Sequence, residues 1–590
     1  MAGEKWILET KRADFKAIAQ ALGIDPVTAR LIRNRGPVTE DEARAYLFGG
    51  REAMHDPLLM KDMAEACEAV EEHIARGSKI RIVGDYDVDG VSATYILLKG
   101  LARIGADVSW DIPERIRDGY GINDRIIDRA ASDGIGLIVT CDNGISASGA
   151  LTHAAELGME TVVTDHHEVL REEGRDVLPP ARAVVNPHRA DSAYPYRKLC
   201  GAAVAYKLVE VLFARAGIPA AELDPLLEFA ALATVADVME LDGENRVIVR
   251  EGLKLMRHTA NLGLSCLMDV SGADRAHLSA FTLGFVIGPC INAAGRLETA
   301  AAAMELLLEE DPAKARSRAA HLRELNEARK AMTADGVKDA VYEIEDGEDA
   351  SPGDRVLVVF LPECHESLAG IIAGKLKERY YRPAIVLTRG EDCVKGSGRS
   401  IEAYPMYESL CAVRGMLRKF GGHPMAAGLS LAEKDWKELR RLLNENCTLT
   451  EEDLTEKVRI DMAVPPAYLT PELVEQLGLL EPFGNGNPEP LFAEAHLNIR
   501  SLSVVGKTGN VVKMKVADSA GNVMEAVRFR DADGFLEFLR GTYGDEQVMK
   551  AMRGAENEID IAFAYRPQIN EWRGRRTVEL VVEYYCRIGR

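Results

Sequence analysis

Three aspartates spaced two residues apart leave a short apolar strand and enter a glycine turn: Lys79-Ile80-Arg81-Ile82-Val83-Gly84-Asp85-Tyr86-Asp87-Val88-Asp89-Gly90. Carboxylates at that density repel one another unless a cation lies between them. Asp85, Asp87, Asp89 and Gly90 fit the first half of an EF-hand calcium loop. The second half fails, because the position that needs glutamate is Ile96 and the run follows a strand, not a helix. What remains is a hard-cation site at the carboxyl end of a β-strand, where open α/β sheets bind ligands.

Similar clusters follow. Leu137–Thr140 is an apolar strand running into Cys141-Asp142-Asn143-Gly144, and Thr161–Thr164 runs into Asp165-His166-His167-Glu168. Asp237 closes an apolar segment that reads as helix. One strand ending in aspartate is ordinary, because aspartate caps helices. Three strand ends carrying Asp-x-Asp-x-Asp, Asp-Asn-Gly and Asp-His-His are not. Mixed carboxylate and imidazole ligands suit manganese, with magnesium or zinc as alternatives. The ligands suffice for two ions sharing a bridging aspartate, and two ions about 3.5–4 Å apart are the usual clamp for in-line phosphoryl chemistry.

These clusters resemble motifs I to IV of the DHH phosphoesterase superfamily, which takes its name from a triplet like Asp165-His166-His167. Within it, nearly the whole chain is similar to the RecJ family of single-strand-specific 5′-exonucleases. The further motifs are Ile112–Arg115 with Gly119-Tyr120-Gly121, Ile287–Arg296, Gly396–Ser400, Phe420–Gly428 and Leu480–Pro488. Cys290 departs from the pattern, which often has arginine there. The resemblance implies that Asp85, Asp87, Asp89, Asp142, His166 and Asp237 bind two Mn2+ or Mg2+ ions, with Asp142 bridging. It implies that His167 balances charge on the phosphoryl oxygens, while Asp165 and Asn143 orient ligands. No serine or cysteine nucleophile is required. Arg115, Arg296, Ser397, Arg399 and His423, which matches the histidine of the Gly-Gly-His motif, would hold the 5′ end. Gly396, Gly398, Gly421 and Gly422 beside these residues suggest a phosphate cradle, although a Gly-Gly pair alone is an ordinary turn.

The 590 residues predict three or four domains. Residues 1–55 read as helical, with 17–34 and 40–47 as candidates; 56–299 read as the DHH domain, with strands and helices alternating from 80 to 185 as in a doubly wound parallel sheet. Residues 300–350 read as a connecting helix, spanning 300–342, and a polar linker. Residues 351–454 read as a second, DHH-associated α/β domain: strands at 356–361, 384–387 and 394–401, helices at 365–381, 406–420 and 434–446. From 455 to 590, strand-like segments and turns such as Lys507-Thr508-Gly509-Asn510 predict a small β-barrel, and the resemblance implies an OB-fold.

No apolar run approaches the roughly 20 residues of a membrane span, and the N-terminus lacks a signal peptide's pattern. Ten cysteines without a Cys-x-x-Cys pair indicate neither a zinc ribbon nor a disulfide framework, so a reducing, cytoplasmic setting is expected. The net charge of −21 argues against long nucleic acid unless the positive charge is clustered. Residues 455–590 carry 17 Lys/Arg against 20 Asp/Glu, a net of −3, so the first 454 carry −18. In the barrel region, Phe529, Trp572 and Tyr584 with Arg573, Arg575 and Arg576 are candidates for a base-stacking surface, or else the aromatics are core.

The reading is a metal-dependent exonuclease degrading single-stranded DNA from its 5′ end to mononucleotides, expected as a monomer. The resemblance implies repair and recombination, with single-strand-binding protein and a RecQ-type helicase as partners. Two alternatives stand beside it: a DHH phosphoesterase of small substrates such as oligoribonucleotides or cyclic dinucleotides, and a non-catalytic DNA-binding relative. The barrel argues against the first and the intact acidic motifs against the second.

Overall fold

A computed structural model describes residues 4–115, 117–506, 509–572 and 574–588. Lys507, Thr508 and Arg573, with the side chain of Trp572, lie outside the described residues. The chain forms two compact units. One holds His55–Met239 and Ile248–Glu456; the other is assembled from Trp6–Met54, Glu240–Val247 and Lys457–Arg590.

In the first unit, β1 (Lys79–Val83), β2 (Val108–Asp111), β3 (Ile135–Cys141), β4 (Glu160–Thr164) and β5 (Ala183–Val185) form a parallel sheet in the order β2-β1-β3-β4-β5. Ile80 to Val83 is buried throughout, as expected for a parallel strand covered on both faces. The winding reverses between β1 and β3, so their carboxyl ends flank the switch point where such sheets bind ligands.

Helix α1 (Val88–Arg103) follows β1 and packs on α2 (Gly201–Arg215) and α3 (Asp224–Ala236). All three are apolar on nearly every side, as buried helices are. Gly100 lets α1 and α2 touch, since a Cβ there would lie 2.5 Å from Val209. Farther on, a helical run from Ala280 to Leu297 comprises a short turn, a π-helical segment Leu283–Ile287 and α4 (Gly288–Leu297). Among the described residues this run alone is long and apolar enough to cross a membrane; half of it is buried, against α3 and α5 (Pro312–Glu345).

The single helix expected over 300–342 is two. Ala301–Leu308 ends before Asp311, whose carboxylate caps α5 by accepting from Ala313 and Lys314, with Pro312 in the first turn. Helix α5 then runs to the second sheet, β6 (Leu357–Phe360), β7 (Ala384–Arg389), β8 (Val394–Arg399), β9 (Leu417–His423) and β10 (Ala426–Leu431), in the order β9-β10-β8-β7-β6. Helix α6 (Ala369–Tyr380) covers β7 and β8. The helix expected over 406–420 stops at Ala412, and Leu417–His423 is instead the outer strand of a hairpin with β10. Pairing prevails there because Gly421 and Gly422 are poor helix residues and the sheet offers a partner.

In the second unit, β11 (Met462–Ala463), β12 (Phe492–Val505), β13 (Val511–Ala517), β14 (Val523–Arg528), β15 (Asp560–Trp572) and β16 (Arg575–Arg587) run in the order β11-β12-β13-β14-β16-β15. A further β12–β15 pairing closes a five-stranded barrel of the OB type. Helices α7 (Ala532–Tyr543) and α8 (Asp545–Met552) are inserted before β15. The helix expected over 17–34 is broken by left-handed Gly23 and restarts at Asp25-Pro26. These N-terminal helices share the barrel's core: Val27, Leu31, Ile32 and Leu47 lie in one cluster with Phe492, Phe535, Phe563 and Leu580.

Candidate metal centre and strand-end cleft

The loop after β1 is tightly built. Asp87 caps α1, its Oδ1 accepting from the N–H groups of Asp89 (3.0 Å) and Gly90 (3.1 Å). Gly90 is obligatory, because a Cβ would lie 2.4–2.6 Å from the Asp85 backbone. Asp89 accepts from the first two N–H groups of α2, Gly201 at 2.6 Å and Ala202 at 2.7 Å, so a helix N-terminus neutralises part of its charge. Asp142 follows β3 with φ of +60°. Tyr120 Oη donates to its carbonyl at 2.8 Å, and Gly201 leaves it room, since a Cβ there would lie 2.6 Å from the Asp142 Cβ.

The Asp165 carboxylate accepts from Ile145 N (2.9 Å), His166 N (2.7 Å), His167 N (3.1 Å) and His167 Nδ1 (2.7 Å). Asn143 donates to Val83 and Cys141 carbonyls and accepts from Ile122 N. Both side chains are thus fully engaged in organising the loops.

The candidate ligands converge. His166 Nε2 lies 3.1 Å from Asp142, 3.5 Å from Asp89 and 3.8 Å from Asp237, which caps the end of α3. Donor atoms group as Asp85–Asp87–Asp142, as Asp89–His166–Asp237 and as Asp142–His166–His167, each within 4.8 Å, so Asp142 belongs to two groups. Burial and then the neighbouring carboxylates push Asp85 and Asp142 far above the usual carboxylate range, and the same causes raise Asp237 to about 8. Burial lowers His166, leaving its imidazole neutral and its lone pair free. A pocket that holds this many carboxylates ionised only with difficulty, beside a neutral imidazole, is matched to divalent cations. Burial would lower His167 too, but its bond to Asp165 outweighs this and raises it to about 9.

Beside these clusters lies a cleft of about 930 Å³ between the loop after β1 and the second sheet, lined by Tyr86, Arg115, Lys395, Ser397, Lys419 and Gly421 among others. Arg115 stacks 3.8 Å over the Tyr86 ring, and its buried Nε has no partner. Arg399 reaches Ser397 Oγ at 3.2 Å, and Arg296, in the last turn of α4, donates to the Ser367 carbonyl at 2.7 Å. Burial and then Arg115, Arg329 and Arg399 lower Arg296 to about 10. None of these four arginines forms an ion pair among the described residues. His423 stands apart, exposed on β9 opposite Ala426, and does not line the cleft.

Cys290 is buried within α4, donating to the Val286 carbonyl, and Asn326 of α5 contacts its sulfur. Arg329, held by Asn326 at 3.1 Å, brings a guanidinium into the arginine group from another helix. The sequence assigns no role to Arg329 or to Tyr120. Tyr120 lay in the Gly-Tyr-Gly motif, a usable signal; Arg329 is one basic residue of many on a long helix and carried none.

Three family descriptions match the chain: "DHH family, N-terminal domain" at 79–234, "DHHA1 domain" at 353–448 and "RecJ OB domain" at 460–584. The crystal structure of RecJ in complex with Mn2+ from Thermus thermophilus superposes with a TM-score of 0.80 at 26% identity, covering 99% of this chain and 80% of that one. A manganese-bound exonuclease RecJ gives 0.58 at 31% identity over 67% of this chain and 98% of that one. The fold and the clustered acids and histidines therefore define a phosphoesterase of the DHH class. The single-stranded-DNA-specific exonucleases RecJ of Bacillus subtilis (35% identical over 99% of this chain and 71% of that protein) and Escherichia coli (32% over 95% and 96%) narrow the class. The chain belongs to the RecJ family.

Proposed function

We propose that this chain is a single-stranded-DNA-specific exonuclease that works from the 5′ end with Mn2+ or Mg2+ and releases mononucleotides. The observation that carries the reading is the placement, in one unit, of three interlocking aspartate and histidine groups, two of them sharing Asp142, beside a cleft that Arg115 lines, with Arg296, Arg329 and Arg399 nearby and forming no ion pair among the described residues. Asp85, Asp87 and Asp142 would hold one ion, and Asp89, His166, Asp237 and Asp142 the other. Bound there, the pair supplies Lewis acidity at the scissile phosphate and a nucleophile from water near neutral pH.

The chain's own residues do the rest. Asp165 fixes His167 through Nδ1 and keeps it cationic at neutral pH, so the imidazolium balances charge on the phosphoryl oxygens. Arg115, Arg296 and Arg399 with Ser397 bind a terminal phosphate, with Arg329 adding positive potential behind them. An anion held there sets which phosphodiester reaches the acidic clusters, and so sets polarity.

The test is digestion in manganese of 3′-labelled single strands bearing a 5′-phosphate or a 5′-hydroxyl, with Arg399→Ala alongside. The phosphorylated strand should be preferred, products should be mononucleotides, and Arg399→Ala should narrow the preference. Digestion from the 3′ end, or no discrimination between the termini, refutes the assignment.

A further inference from the structure

The second sheet is covered unevenly. Helix α6 packs on β7 and β8. Along β10 burial alternates: Ala427, Leu429 and Leu431 enter the core on one face, while Gly428 stands exposed on the other. Across β8, β10 and β9 the register places Ser397, Gly428 and Gly421 in one row and Lys395, Ser430 and Lys419 in the next. Directly paired residues, and residues two apart, share a face. Both rows therefore look the same way, and all six residues line the cleft. Glycine weakens a strand, and these two have no reason within the chain. Neither Gly421 nor Gly428 has a positive φ, and a Cβ on either would meet nothing within 4 Å. What remains is close approach by something outside the chain.

The chemistry of the lining says what approaches. Arg115, Lys395, Arg418 and Lys419 stand there against Glu366 and Asp392, in a chain whose net charge is −21. Lys395 pairs with Glu366 at 2.7 Å, and Arg418 donates to the Asp392 carbonyl at 2.9 Å. Lys419 is exposed and has no hydrogen bond or ion pair among the described residues. The buried Nε of Arg115 has no partner either. Of the lining aromatics, Tyr86 is already stacked by Arg115, and Phe420 packs against the core of the second sheet. The trough offers cations, hydroxyls and open backbone, which bind phosphate, and no free ring for a base.

We infer that the terminal-phosphate site opens into this trough and accepts strands whose 5′ end carries a di- or triphosphate. The outer phosphates lie over Gly421 and Gly428, against Lys395 and Lys419. The inference rests on the exonuclease reading above, which puts the phosphate next to the sugar at Ser397 and Arg399. Two residues along a strand span roughly 7 Å, so a phosphate chain anchored at Ser397 reaches the lysine row. Lysine suits the outer phosphates because it is a compact charge on a flexible stem. Cleavage follows the ordinary course. Hydroxide from water adds to the phosphorus between the first two nucleotides, the bond from that phosphorus to the first nucleotide's O3′ breaks, and O3′ leaves with a proton. The first product is a nucleoside 5′-triphosphate, its anhydride bonds intact, and the shortened strand carries a 5′-monophosphate.

The experiment measures release of the first nucleotide, in manganese, from 3′-labelled single strands bearing a 5′-monophosphate or a 5′-triphosphate. The unaltered protein should cut both with similar KM and release a nucleoside triphosphate from the second. Lys419→Ala should raise KM for the triphosphorylated strand about tenfold relative to the monophosphorylated one, the worth of one charge-assisted hydrogen bond. Lys419→Arg should restore it. Gly428→Val places a β-branched side chain where nothing opposes it, so the sheet should melt no lower while the same KM ratio rises. Refusal of the triphosphorylated strand, release of inorganic pyrophosphate, or an equal rise in KM on both strands overturns the trough and leaves the exonuclease reading intact. So does inhibition by free dATP without cutting of the triphosphorylated strand, which would give the trough to free nucleotides. Failure of the unaltered protein to cut the monophosphorylated strand overturns both.

Discussion

Asp142 sits in the left-handed region at a cost of about 1 kcal/mol, held there by Tyr120 on one side and by the space Gly201 leaves on the other. Its carboxylate is buried among Asp85, Asp87, Asp89 and Asp237, which repel it. Cations would turn that repulsion into attraction, so removing the charge should act oppositely with and without metal. In chelator, Asp142→Asn should unfold at a higher temperature than the unaltered protein, because a neutral isostere relieves repulsion. In manganese the order should reverse, and exonuclease rate should fall at least about a thousandfold, several kcal/mol of transition-state stabilisation. Equal melting shifts on adding manganese would remove Asp142 from the ion site. At this scale the acidic residues were legible, because a carboxylate triplet after an apolar strand has no ordinary structural use. Arg329 was not, because what gives a guanidinium its role is the absence of an acidic partner, and a sequence does not show partners.

Among the elements, α3 carries an ionisable group with no place in the proposed chemistry. Glu228 is buried, accepts from Thr259 Oγ1, and burial raises it to about 7. In the unfolded chain it returns to about 4.5. The raised folded pKa means that its contribution to stability is complete below pH 4.5 and is lost as pH climbs through 7. Glu228→Gln keeps the acceptor and removes the titration. The variant should match the unaltered protein near pH 4.5 and exceed it by roughly 3 kcal/mol above pH 7, read from urea midpoints at both ends of the window. A constant difference across that range would place the ionisation elsewhere. Element boundaries followed the sequence where local signals were strong, as at Asp311-Pro312, whose cap chemistry is written in the chain although a single helix was expected across it. Leu417–His423 shows the opposite case. Its apolar spacing continues that of the helix before it, and only the neighbouring strand Ala426–Leu431 decides the outcome.

At the scale of the molecule, the second unit joins pieces more than 400 residues apart. Arg35 pairs with Asp461, Asp25 N donates to Gln476, and Tyr46 donates to Asn487, whose own amide closes the Leu480–Pro488 loop. The apolar stripes of the N-terminal helices were readable as stripes, but a stripe does not name its partner. A truncation at Thr455, the simplest way to ask whether the barrel adds affinity for long strands, would strip the cover from Val27, Leu31 and Ile32. Surface substitutions are the cleaner probe: Phe529, half exposed, and Arg575 are accessible, whereas Arg576 is already paired with Glu475. The shared core makes its own prediction. Leu31 is fully buried in it, so Leu31→Ala should cost about 2–5 kcal/mol. Because that core belongs to the second unit, the loss should speed amide hydrogen exchange in Phe492–Val505 and Asp560–Ala564, far along the chain. The parallel strands Lys79–Val83 and Ile135–Cys141 should keep their protection, since local stability follows the packing unit and not the sequence. Unchanged exchange in Phe492–Val505 would show that the N-terminal helices and the barrel do not fold as one body.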